Sequence, residues 1–105
     1  VVNVSDAVIR ARDYDRCARC GKTGNLHTHH RMLRSAGSDE RACNRVTLCQ
    51  GCHNFVHMHP EQSLDEGWLT GRYQDPAEVP IRHAMWPAGL ILLTDENAGI
   101  EIYQE

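Results

Sequence analysis

Residues 44–57 read Asn-Arg-Val-Thr-Leu-Cys-Gln-Gly-Cys-His-Asn-Phe-Val-His, and they carry two sets of metal-binding side chains. Cys49 and Cys52 form a Cys-x-x-Cys pair, and His53 and His57 follow four apart. On a helix, four residues turn through about 400°, so the two imidazoles lie roughly 40° apart and can share an ion. Cys52 lies about 100° round from His53 and faces a neighbouring site. A second pair, Cys17-x-x-Cys20 followed by Gly21, is separated from Cys49 by 28 residues. Each pair offers two sulfurs on one side of a turn, and four thiolates suit tetrahedral zinc. Such a site has no open position for a substrate, so its role is structural. A redox pair or separate disulfides are the alternative uses of these thiols. Cys43 is left over, as a small buried or half-exposed thiol without a role.

Histidines dominate a second stretch, Leu26-His-Thr-His-His-Arg31. Read as a strand, it puts His27 and His29 on one face and His30 on the other unless a bulge intervenes. Paired histidines on a strand are ordinary surface residues when they stand alone. Beside an i, i+4 pair and a zinc knuckle, His29 and His30 become candidates for chemistry. His27 is within reach of the same ion or of a phosphate. His59 lies about 240° around the helix from His53 and faces solvent, and His83 has no partner nearby in the sequence. Arg31 and Arg45 flank His30 and Asn44 and are candidate phosphate clamps; Arg34 and Arg41 are weaker ones. Trp68, Trp86 and Tyr103 are read as packing residues.

The elements that must position these groups follow from local pattern. Residues 5–13 form a short helix capped by Ser5 or Asp6, with Ala7, Val8 and Ala11 as its apolar stripe and Arg10 and Arg12 exposed. Residues 26–31 form a strand, 34–43 a polar loop, 46–48 a second strand, and the Cys49–His57 stretch a helix. Strand, loop, strand and helix make a ββα unit. Residues 61–66 form a helical turn stopped by Gly67. The runs 90–94 and 99–103, joined by Asp95-Glu-Asn-Ala, read as a hairpin. The class is α+β, with one domain over residues 1–105, a core at about 14–59 and a C-terminal extension at 60–105.

Composition constrains the partners. The apolar share of 41% is low, and a core this small commonly needs a metal or disulfide staple. Residues 1–59 hold nine Lys/Arg against five Asp/Glu, a balance of +4, whereas residues 60–105 hold two against nine, a balance of −7. The basic half contains the cysteines and most of the histidines, where a phosphate backbone would be met. A solvated charged face is the plainer reading. The opening Val-Val-Asn-Val-Ser-Asp has neither an apolar core nor a basic start, so it does not read as a targeting segment. No run of about 18 apolar residues is present, so no membrane partner is expected. Cysteine pairs of this spacing are expected in a cytoplasmic, metal-binding chain.

The nested order Cys-Cys, His-His, Asn, Cys-Cys-His, His resembles the HNH endonuclease family, over Cys17 to His57. The matching stretches are Leu26-His-Thr-His-His-Arg31, Asn44-Arg-Val-Thr-Leu-Cys49 and Cys52-His-Asn-Phe-Val-His57. The resemblance implies a ββα-metal fold that hydrolyses DNA phosphodiesters, nicking or cutting both strands. It makes His30 the general base, Asn44 the residue that holds the loop and positions the base, and His57 the last histidine of the motif. It makes His29, His53 and His57 ligands of a catalytic divalent ion, in the manner of colicin nucleases. The glycine loop and Gly-Trp-Leu tail are similar to those of small bacteriophage HNH proteins, which implies a host cytoplasm and a possible DNA-packaging partner. The chemistry is consistent with this: phosphodiester hydrolysis needs a base for the water proton and a cation for the growing charge. Imidazole ligands favour Zn²⁺, Ni²⁺, Co²⁺ or Mn²⁺, with Mg²⁺ also feasible. The rival reading is a zinc-knuckle module that binds nucleic acid or protein without cutting.

Overall fold

A computed structural model of the chain describes residues 3–104, apart from the side chain of Arg34. Helix α1 (Asp6–Arg12) leads to strand β1 (Leu26–His30), then β2 (Arg45–Cys49), helix α2 (Gln50–Met58), helix α3 (Pro60–Glu66), and strands β3 (Ile91–Leu93) and β4 (Ile100–Ile102). Strands β1 and β2 pair antiparallel, from Leu26 opposite Cys49 to His30 opposite Arg45, and β3 and β4 form a second antiparallel pair. Residues directly opposite in such a ladder share a face. His29 therefore lies on the face of Val46, and His30 on the face of Arg45.

Strand β2 is buried along its whole length. Val46 and Leu48 pack with Val56 of α2 and with Trp68, Leu69, Ile81, Ile91 and Leu93 from the C-terminal half. That half is bound into the core in other ways too. Thr70 bridges to Met32 in parallel, and its N–H donates to the Arg31 carbonyl at 2.8 Å. Helix α3 starts with Pro60, whose fixed φ suits a first turn, and stops at Gly67, which is left-handed at φ 85°. A Cβ at Gly67 would collide with the Pro80 carbonyl, so the turn needs glycine. It delivers Trp68 to β1.

Helix α1 departs from its expected face. Ile9 is its buried residue, while Val8 is exposed. The side chain of Arg12, expected in solvent, is almost wholly buried: it pairs with Asp13 at 3.0 Å and donates to the carbonyls of Ala42 and Arg45. Asp13 is buried as well, accepting from the Thr47 N–H and lying 3.1 Å from His83 Nε2. His83 thus has a partner after all, 70 residues away in sequence. Burial pushes the Asp13 carboxyl up, but the bonds from His83, Arg12 and Thr47 outweigh it and hold it below the usual value.

Arg31 and Arg45 also depart from the reading as phosphate clamps. Arg31 is fully buried, and its guanidinium donates to the carbonyls of Gly67, Cys43, Pro76 and Val79 at 2.7–2.9 Å. Burial lowers its pKa to about 10, so it stays charged at neutral pH. Arg45 is buried at the ladder end, donating to Asp6 at 3.0 Å and to the Val4 carbonyl at 2.6 Å. Neither guanidinium is free to meet DNA. The planar fork of Arg31 matches four carbonyls, three of them in fully buried bonds, which a lysine would not reproduce. Replacing it with methionine leaves those carbonyls unpaired, at a cost of about 3 kcal/mol or more. Urea unfolding of Arg31→Met should show that loss, and Arg31→Lys should recover little of it; parental stability in either variant would contradict the role.

Candidate functional site

The two cysteine pairs come together because β2 runs straight into α2. Cys49 caps α2, its Sγ accepting from the Cys52 N–H at 3.4 Å. The upstream knuckle closes through bonds from the Cys17 N–H to Lys22 and from the Gly21 N–H to Cys17, both 2.8 Å, and the Ala18 N–H ties it to Thr47 of β2. The Sγ atoms of Cys17, Cys20, Cys49 and Cys52 all lie within 4.8 Å of one another. Cys20 and Cys49 are 3.6 Å apart, close to the edge of about 3.8 Å expected for sulfurs about 2.3 Å from a tetrahedral zinc. Burial pushes the Cys52 thiol up to about 12, although Arg19 pulls against this. Burial also opposes ionisation of Cys49, but the Cys52 N–H and neighbouring thiols bring it down to about 7. The cluster is compatible with a structural metal such as zinc. Cys43 stands apart, buried, its thiol pushed up to about 12 by burial.

A second cluster lies on the other face of α2. His53 and His57 face β1, with Nε2 atoms 3.1 Å apart. One ring nitrogen from each of His29, His53 and His57 lies within 4.8 Å of the others. Nitrogens about 2.0–2.1 Å from a shared ion are about 3.0–3.4 Å apart, so the His53–His57 spacing suits one. His29 is buried, and its Nε2 lies 2.7 Å from the Trp68 carbonyl. A carbonyl only accepts, so Nε2 carries the proton and the lone pair sits on Nδ1, as expected for a ligand oriented by a second partner. Burial, with repulsion from His53 and His57, lowers its pKa to about 4, so the ring stays neutral. Burial lowers the pKa of His53 too, followed by His57 and His27. His27 stacks on His53 at 5.9 Å between ring centroids and is exposed.

His30 lines the same hollow. The cleft holds about 250 Å³ and is lined by Thr28, His29, His30, Leu33, Ser38, Glu40, His53 and His57. No bulge breaks the ladder before His30. Its Nε2 lies 2.9 Å from Glu40 Oε1. Asn44, expected to hold the loop and position the base, spans the loop without touching His30: its Oδ1 accepts from the Met32 N–H at 2.8 Å, and its Nδ2 donates to Ser38 Oγ at 3.1 Å and to the Asp39 carbonyl at 2.7 Å. A larger hollow of about 510 Å³, lined by Arg19, Asp65, Glu66, Trp68, Arg82 and Leu90, contains no histidine or cysteine.

No family model, curated protein or solved structure matches this chain.

Two contributors escaped the sequence reading. Trp68 acts through its backbone carbonyl, which has no side-chain signature. Glu40 sits in a polar loop among other charges, and nothing in its spacing sets it apart. His59 is exposed, as expected, with its ring 4.3 Å from that of Phe55. Among the described residues, no helix is long and apolar enough to cross a membrane.

Proposed function

We propose that the chain is a metal-dependent endonuclease of the HNH type that hydrolyses DNA phosphodiester bonds. The observation that carries this reading is the cleft: three imidazoles converge within ligand distance of one another, and a fourth, His30, lines the same hollow outside that set. The order β1, β2, α2, with the four-cysteine cluster at their junction, supports the resemblance to a ββα-metal fold. Zinc would occupy the cysteine cluster and hold the knuckle against α2. His29, His53 and His57 would hold the divalent ion, which when bound supplies positive charge against the charge growing on the phosphoryl oxygens.

The residues of the chain do the rest. His30, partly open to solvent, takes the proton from the attacking water. Asn44 holds the Ser38 hydroxyl and the Asp39 carbonyl across the end of the β1–β2 pair, which keeps the cleft wall in place. Trp68 keeps His29 in one tautomer.

Substrate affinity is a separate matter. Arg12, Arg31 and Arg45 are spent inside the protein, so much of the +4 balance of residues 1–59 is not a DNA-binding face. That favours a nuclease to which DNA is delivered, such as a cytoplasmic phage chain acting with a packaging protein. The products should be 5′-phosphate and 3′-hydroxyl ends. DNA ligase should reseal nicks left by the protein without further treatment; nicks that need end repair would count against this hydrolysis.

A further inference from the structure

We infer that Glu40 is the positioning residue for His30, linking it to the buried Arg45 and, through the loop, to Asn44. The inference rests on the nuclease reading and deepens it. Its basis is a row of contacts on one face of the ladder. His30 and Arg45 stand directly opposite each other. The Glu40 carboxylate reaches both, with Oε1 2.9 Å from His30 Nε2 and Oε2 3.9 Å from Arg45 Nε. Arg45 Nε is buried and makes no hydrogen bond, and the Glu40 carboxylate stands 3.9 Å from it. Arg45 itself cannot wander, because Asp6 and the Val4 carbonyl hold its other nitrogens.

Asn44 enters from the other side. Its Nδ2 grips the Asp39 carbonyl and Ser38 Oγ, the residues just before Glu40. Asn44 therefore acts on His30 at one remove, by fixing the backbone that presents Glu40. A carboxylate oxygen accepts, so Nε2 of neutral His30 carries the proton and the lone pair is left on Nδ1. That is the nitrogen free to take a proton from water. Orientation of a base by a third group is how other base-and-nucleophile sites are organised. A purely structural role is a poor account, since exposed ion pairs contribute at most about 1 kcal/mol, and Glu40 is 59% exposed.

The test uses the full metal-loaded chain with Glu40→Ala and Glu40→Gln. Long-range proton–nitrogen NMR should find His30 protonated on Nε2 in the parent and as mixed tautomers in Glu40→Ala. Glu40→Ala should lose about 10-fold to 100-fold in kcat on DNA with KM and melting unchanged. Glu40→Gln keeps an acceptor and should retain most activity. If the parent cuts but Glu40→Ala cuts equally well, or if parental His30 is protonated on Nδ1, the inference is overturned and the nuclease reading stands. A folded, metal-loaded parent that cuts no DNA removes that reading, and the inference with it.

Discussion

Cys49→Ser should leave a chain with no cooperative melting transition. Cys49 serves three purposes at once: it belongs to the four-sulfur cluster, it caps α2 through the Cys52 N–H, and it ends a strand that is buried throughout. Binding of a structural zinc by such ligands is worth about 10–16 kcal/mol in small metal-dependent folds, and that energy is folding energy. A whole domain is stable by only about 5–15 kcal/mol, so loss of one ligand is enough to unfold it. The control is Cys43→Ala, which removes a buried thiol that lies outside the cluster and should preserve a cooperative transition. Circular dichroism melts and zinc content after dialysis check both. A Cys49→Ser chain that melts like the parent would remove the structural-metal assignment. Failure of the parent to retain zinc would favour the redox use of the pairs.

His30→Ala should abolish cleavage while the fold and the zinc remain. His30 is only half-buried, and its side-chain bond runs to an exposed carboxylate, so little packing is lost. Neither metal cluster includes it. General-base catalysis contributes about 10²-fold to 10⁴-fold, and a decrease of at least about 100-fold in kcat is expected on that basis. Melting temperature and metal content should match the parent. A fully active His30→Ala variant would sink the assignment of the base.

Much of the site was legible because its signals are local. The Cys-x-x-Cys spacing and the i, i+4 histidines depend only on turn and helix geometry, and the structure brings both sets together. The β1 stretch alternates as expected, and Gly67 stops α3 where a left-handed residue is needed. The arginines were misread for the opposite reason. A guanidinium looks the same in sequence whether it meets phosphate or four backbone carbonyls, and the carbonyls that capture Arg31 come from residues 43, 67, 76 and 79. Likewise, nothing local pairs His83 with Asp13. Helix α1 follows the same rule: its period points to Ala7, Val8 and Ala11 as the apolar stripe, but the neighbour it packs on selects Ile9 and Arg12. Long-range contacts decided each of these cases.

The most direct test of a metal-dependent nuclease is conversion of supercoiled plasmid by protein treated with a chelator mild enough to spare the cysteine cluster. Mg²⁺, Mn²⁺, Co²⁺, Ni²⁺ and Zn²⁺ would each be restored separately, with His30→Ala alongside. Nicked or linear product that requires an added ion and disappears with His30 is the predicted result. Folded protein that retains its cysteine-bound zinc yet leaves the plasmid supercoiled with every ion would contradict it, and would point to a binding module instead.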